Sequence, residues 1–286
     1  MSAGSKTILF LLLILMIFFM LSFSFAGRDA LPESRHFTLE KPAEGVYAAI
    51  HNDLGGFAIC KAGNIDLGDR TVILDPFICP TAARDLKRQA EFLTGRPVSL
   101  VLNLDPHSDP IGGNQVFIPG AVIISTANAR AYIETHFQKD LDTQKETVPG
   151  ELKIVQDRLI RASGIERFEL ALRESEYKAL VDAFPEIEMT LPDMTIEGPM
   201  TIHGSKRNIV LVPVGRGHTT GDMIVSLPGD RIVFMSDELF VKRHPYLGDG
   251  DPESLLSSLK RILALNARPS PCRDTVPSAG RIRCER

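Results

Sequence analysis

Three short apolar runs in this chain each stop at a turn that carries histidine or aspartate, and this recurrence constrains the fold more than any other feature. Val98 to Leu102 runs into Asp105-Pro106-His107-Ser108-Asp109. Ile209 to Val212 leads to Gly215-Arg216-Gly217-His218-Thr219-Thr220-Gly221-Asp222, and Arg231 to Phe234 ends at Met235-Ser236-Asp237-Glu238. Aliphatic runs this short, bounded by Gly, Pro and Asp, read as buried strands rather than helices. Strand ends of α/β sheets are where sites form, so these turns can bring ligands from distant parts of the chain to one place.

The rest of the pattern fits such a sheet. Phe37 to Leu104 is a strand-rich start leading into a βαβ unit. Val72-Ile73-Leu74 reads as a buried strand ending at Asp75-Pro76. Thr81 to Leu93 reads as a helix with Leu86, Ala90 and Leu93 on one face, and Gly95-Arg96-Pro97 breaks the chain before Val98. Thr126 to Phe184 is rich in charge and helix formers and predicts two or three helices, with Leu159, Ile160, Leu170, Leu172, Leu180 and Val181 buried. Strands return at Met200–Ile202, Ile209–Val212, Met223–Leu227 and Arg231–Phe234, with turns such as Pro228-Gly229-Asp230 between them. Asp251-Pro252-Glu253 then opens a helix to about Leu265, with a side-chain cap, a first-turn proline and an acid at the positive dipole end. This order predicts an α/β sandwich with sheets inside and helices outside. Pro269 to Arg286 reads as an irregular tail.

Residues 1–26 belong to a different class. Lys6 precedes an apolar run from Ile8 to Phe25 that closes on Ser24-Phe25-Ala26. The small residues suit signal-peptidase cleavage, and the length also suits an uncleaved membrane anchor. Either way the chain is expected to be exported, periplasmic or secreted, with the membrane touched only through residues 7–26. Export permits disulfides, but Cys60, Cys79, Cys272 and Cys284 allow three pairings and lack the close spacing of a structural zinc site. A formal net charge of −4 and no basic run interleaved with aromatics exclude a nucleic-acid partner.

Within the first turn, Asp105, His107 and Asp109 alternate on a short loop, so a kinked backbone can aim several of them at one cation. Gly112-Gly113 follow and permit close backbone approach and unusual dihedrals. The bland alternatives are that Asp105 merely shapes the turn beside Pro106 and that Asp109 caps a helix after Gly113.

Taken together, these segments resemble the metal motifs of the metallo-β-lactamase superfamily, whose first motif reads HxHxDH followed by GGN. The match covers roughly Phe37 to Leu265. It is strongest to exported lactamase-like hydrolases with a Gly-His-Thr-x-Gly-Asp turn, an aspartate turn and a His-Pro-Tyr-Leu-Gly-Asp-Gly-Asp-Pro stretch, present here as His244 to Pro252. The resemblance implies a four-layer αβ/βα sandwich over 37–268, with 126–184 as a helical insertion over the pocket. It also exposes departures. Asp105 stands at the first histidine, Pro110 at the last histidine of that motif, and Ala279 at the histidine of a Val276-to-Gly280 turn.

Carried over, the metal ligands are Asp105, His107 and His218, with Asp237 as a fourth, and Asp109 is the catalytic residue that orients or deprotonates water. The implied cofactor is one Zn²⁺ ion or none, Mn²⁺ and Fe²⁺ being suited to the same donors. The implied activity is slow metal-dependent hydrolysis of a small-molecule ester, lactone, thioester or amide. The competing expectation is a catalytically inactive binding or scaffold protein on the same fold. His244 is expected to anchor its loop.

Overall fold

In the computed structural model, residues 30–52, 58, 60–240 and 244–265 are described. The chain divides after Pro32 into two units, and the second, Glu33–Arg286, contains both sheets. The segment expected to direct export, the tail 269–286 and the turn at Ala279 lie outside the described residues. Among the described residues no helix is long and apolar enough to cross a membrane.

Seven strands form one sheet in the order of the chain: β1 (Phe37–Ala43), β2 (Val46–His51), β3 (Ala62–Asp66), β4 (Thr71–Leu74), β5 (Val98–Leu102), β6 (Val122–Thr126) and β7 (Met194–Ile196). The first four pair antiparallel, and β4 to β7 pair parallel. The change of sense follows from the connections, because β4 and β5 are joined by a helix, α1 (Pro80–Thr94), and a parallel return needs such a crossover. Gly95 ends α1 in the left-handed region at φ +67°, its N–H donating to Glu91 O at 2.8 Å. A short helix, α2 (Ser108–Ile111), follows β5. Two long ones, α3 (Ala127–Leu159) and α4 (Gly164–Ala183), separate β6 from β7. The second sheet is antiparallel, with β8 (Met200–Ile202), β9 (Ile209–Gly215), β10 (Asp222–Leu227) and β11 (Ile232–Phe234) in spatial order β11-β10-β9-β8. The last described helix is α5 (Pro252–Ala264).

Strand side chains alternate with period two, and here the alternation sorts them into separate cores. Val72 and Leu74, Leu102 and Ile124 face the inter-sheet core, where they meet Leu211, Met223, Val225 and Leu227 of the second sheet. Their neighbours Ile73, Val101 and Ile123 face the other way, onto Leu86 and Ala90 of α1 and Ile133 and Phe137 of α3. In the second sheet Val214, Ile224 and Val233 turn outward onto Ile262 of α5. Because both faces are covered, Val72-Ile73-Leu74 is apolar and buried throughout, and Met223 to Leu227 is buried throughout with Ser226 as its polar residue. The result is the four-layer αβ/βα sandwich that the sequence predicts.

α5 begins as read from the sequence. Asp251 accepts from Ser254 N at 2.8 Å, Pro252 occupies the first turn, and Glu253 lies at the positive end. Two local expectations fail. Ile160 is 79% exposed rather than buried, because it is the C-cap residue of α3, beyond the stretch where that helix packs on the body. β7 is a strand that the sequence pattern does not reveal, because Met194 and Thr195 are exposed and only Ile196 faces a core, leaving no alternation to read.

Candidate metal centre

The first site loop is shaped by hydrogen bonds at the exit of β5. Asp75, at φ +46° at the end of β4, accepts from Leu104 N at 2.8 Å and so fixes the residue before Asp105. A non-glycine residue in that left-handed region costs on the order of 1 kcal/mol, here offset by the bond it makes. Asp105 Oδ1 then accepts from His107 N at 2.7 Å, a local turn that folds the imidazole back over the carboxylate. His107 is the residue before α2, and Asp109 lies in that helix's first turn rather than capping anything beyond Gly113. The two glycines have ordinary helical φ values of −58° and −84°. They are glycines because a Cβ on Gly112 would meet the Ile78 carbonyl and one on Gly113 the Pro76 carbonyl. Asn114 closes the loop through reciprocal amide bonds with Asn103 at 2.9 and 3.0 Å, both residues fully buried.

The second loop, between β9 and β10, is held by Asp222. Its carboxylate accepts from His218 N at 2.7 Å, from Thr219 N at 2.8 Å and from the Thr219 hydroxyl. Gly221 lies against α3, where a Cβ would come within 2.6 Å of the Ala129 backbone. The third loop follows β11 and carries Asp237 in a single 3-10 turn, entered through Ser236 at φ +46°.

These loops bring Asp105, His107 and His218 together. His107 Nδ1 lies 3.0 Å from Asp105 Oδ1, His218 Nε2 lies 3.1 Å from Asp105 Oδ2, and the two ring nitrogens are 3.1 Å apart. Asp105 and His218 are each only 2% exposed. Among the described residues they form the one set of three or more whose ligand atoms converge as a metal site requires. Asp237 stands at the edge, its Oδ2 3.6 Å from His218 Nε2. Asp109 is outside the trio, although its charge is felt at His107 and at Asp237. His244 is exposed and takes no part.

The far sides of the rings decide what the near sides can do. His218 Nδ1 faces the Tyr246 carbonyl at 2.8 Å, an acceptor only, so that nitrogen carries the hydrogen. His107 Nε2 faces the Asp249 carboxylate at 3.1 Å and is assigned its hydrogen in the same way. In the neutral rings, the lone pairs of His107 Nδ1 and His218 Nε2 therefore point at one another and at a buried carboxylate, an arrangement that calls for a positive charge between them. The separations are slightly below the roughly 3.4 Å edge of a tetrahedron with ~2.0–2.1 Å bonds, so the donor set fits a zinc ion with small adjustment. Without one, protons fill the role. Burial opposes charge on both rings, but the Asp105 carboxylate more than offsets it and raises His107 to about 10 and His218 to about 9.

A ring of acids surrounds the trio. Burial, then Asp109 and Asp105, raise Asp237 to about 7. Burial and the charge of Asp105 raise Asp109 as well. Below His218, burial and the adjoining Asp222 raise Glu238 to about 9, so it carries a proton at neutral pH. Cys60 Sγ donates to Asp109 O at 2.9 Å. Cys60 and Cys79 are free thiols with pKa values raised by burial.

Asp249 and Tyr246 were missed by sequence reasoning, although the stretch that contains them stands out. The sequence singles out only its histidine, as a loop anchor, whereas the stretch acts on the site through an aspartate and a backbone carbonyl. The signal available was Gly250, which packs on the Gly217 and His218 carbonyls and ties this loop to the second one. Tyr132 of α3 also reaches the site, its ring edge-on to His107 at 5.8 Å.

A family model described as the metallo-beta-lactamase superfamily matches residues 55–269. No curated protein matches the chain. Among solved structures, the chain resembles metallo-beta-lactamase IND-7 with a TM-score of 0.56 at 12% identity, over 82% of this chain and 88% of that one. A metallo-beta-lactamase from Pontibacter korlensis gives 0.57 at 14% identity, over 85% and 91%. Metallo-beta-lactamase FIM-1 from Pseudomonas aeruginosa, in its mono-zinc form, gives 0.54 at 14%, over 84% and 88%. At these identities the likeness speaks for the fold alone.

Proposed function

From the premise that this chain belongs to the metallo-beta-lactamase superfamily, we propose that it is a metal-dependent hydrolase that holds a single ion on Asp105, His107 and His218. The observation that carries this reading is the convergence of two tautomer-locked imidazoles on one buried carboxylate. Zinc is the metal typical of the superfamily, and the mixed donor set also suits Mn²⁺ or Fe²⁺. When bound, such an ion supplies Lewis acidity and lowers the pKa of a coordinated water to about 7.

The chain's own residues do the rest. Asp249 and the Tyr246 carbonyl hold the rings in the ligating tautomer. Asp237 completes the donor set at the edge nearest His218. Asp109, whose raised pKa makes it a stronger base than a free aspartate, orients water and takes its proton. Pro110 offers no ligand, so a second ion would have only Asp109 and Asp237, and one ion is the expected complement. FIM-1 is itself described in a mono-zinc form. An anionic ligand at Asp105 leaves less positive charge to polarise a carbonyl, which makes hydrolysis of a small ester, lactone, thioester or amide slow. The apolar run from Ile8 to Phe25 supports export as the setting of this activity.

One observation favours a second reading, a catalytically inactive binding or scaffold protein. Asp105 bonds both imidazoles and satisfies them with protons alone. Loading the full chain separately with zinc, manganese and iron, dialysing, and measuring metal content beside hydrolysis of a panel of the four substrate classes separates the two. One equivalent of metal with hydrolysis that disappears in His218→Ala supports the enzyme. Less than about a tenth of an equivalent of every metal leaves only the scaffold.

A further inference from the structure

The peptide that leads into His218 is gripped at both ends. On one side Asp251 N donates to the Gly217 carbonyl at 3.1 Å. On the other, the N–H of His218 donates to Asp222 Oδ2 at 2.7 Å and, at the longer distance of 3.3 Å, to Glu238 Oε1. Because a peptide unit is planar, holding its carbonyl and its N–H fixes the direction in which the His218 side chain leaves the backbone. The Tyr246 carbonyl then sets the rotation of the ring by accepting from Nδ1.

Glu238 supports this grip from beneath. Its side chain is buried, and its carboxyl group fills the space beside Gly217, where a Cβ would overlap both carboxyl oxygens. Glu238 also hydrogen-bonds Asp222, side chain to side chain. Two buried acids in contact repel unless one proton bridges them. The bridge makes Glu238 a donor to the same carboxylate that takes the N–H groups of His218 and Thr219. Glu238 follows Asp237 in one 3-10 turn. The turn that brings Asp237 Oδ2 to 3.6 Å from His218 Nε2 therefore also places a support under the His218 peptide.

We propose that Glu238 is a positioning residue for His218: by bridging to Asp222 and underlying Gly217, it holds the His218 peptide so that Nε2 meets Asp105. The inference rests on the reading of His218 as a metal ligand, but its first test needs no metal. The role requires reach and a hydrogen on the side facing Asp222, not negative charge. Glu238→Gln supplies both, whereas Glu238→Asp keeps the acid and is one methylene too short. The full chain is prepared with isotope-labelled histidine, and the ring N–H resonances of His218 are identified by their loss in His218→Ala. In the metal-free chain, Glu238→Asp is expected to displace those resonances, and Glu238→Gln to hold them near the parent's positions. In zinc competition, Glu238→Asp is expected to bind about 10-fold more weakly than Glu238→Gln. His218 resonances unmoved in Glu238→Asp overturn the proposal, even where the melting temperature falls, since Glu238 would then serve packing alone. Resonances displaced as far in Glu238→Gln as in Glu238→Asp overturn it too. A parent chain that takes up no zinc defeats the hydrolase reading instead, and the metal-free resonances still decide the role of Glu238.

Discussion

The two sides of the candidate centre share the first loop and yet are prepared for different things. On one side Asp105, His107 and His218 are packed to 3.0–3.1 Å, and each ring is oriented from behind. On the other, Asp109 and Asp237 flank the trio with no further histidine; burial and the charge of Asp105 raise Asp109, and burial, then Asp109 and Asp105, raise Asp237 to about 7. One carboxylate and two neutral imidazoles suit a divalent cation, whereas burial and neighbouring like charge make the two flanking carboxylates harder to ionise. The difference turns on single residues. A histidine in place of Pro110 would give the acidic side a neutral donor, and Pro110→His is the change that would make the two sides alike.

The comparison breaks most completely at His218. Its replacement by alanine removes one of three ligands, a loss on the order of 1000-fold in zinc affinity if ligands share the free energy of a structural site. Chelator competition measures it, and a fall of under tenfold would mean that the ion is held elsewhere. Next in size is the effect of pH. His107 and His218, at about 10 and about 9, are protonated in the metal-free chain at neutral pH, so zinc must displace protons. Apparent affinity is then expected to rise by ~10-fold per pH unit for each proton released between pH 6 and 8. Calorimetry in buffers of different ionisation enthalpy counts those protons, and none released would contradict the raised values.

A smaller effect is expected at Asp249. Asp249→Ala frees His107 Nε2 and lets the ring choose its tautomer, which weakens zinc by about 10-fold. Asp249→Asn, which keeps an acceptor, should recover part of that loss. A purely structural role would show instead as lower melting temperature with unchanged zinc affinity. The least effect is sought on the acidic side. Because the folded pKa of Asp237 lies above its ordinary 3.8, at about 7, its contribution to stability is full below 3.8 and is lost as pH rises through 7. Asp237→Asn cannot ionise, so above pH 7 the metal-free variant should be the more stable of the two in denaturant unfolding. Equal stability at pH 5 and pH 9 would show that this carboxylate is not under strain.

What the sequence could convey depends on how locally each feature is encoded. Strands β4, β5 and β10 are legible because both faces are buried, and α5 because its cap, proline and acid are contiguous. The ligand-bearing turns are legible for the same reason, each being a short string at a strand end. Asp249 is not, because its role is fixed by a loop that crosses back to His107 over more than a hundred residues, a relation no local pattern records. Gly112 and Gly113 were legible as glycines but not in their cause, which is the carbonyls of Ile78 and Pro76 pressed against them. Ile160 misled because an apolar residue near a helix end reads as buried unless the helix outruns the body it packs on.

The most direct measurement is an anomalous difference map at the zinc edge from crystals of the zinc-loaded chain. One peak is predicted, within about 2.0–2.2 Å of His107 Nδ1, His218 Nε2 and an Asp105 oxygen. An empty site, or zinc carried instead by His107 Nε2 and Asp249, would contradict the account.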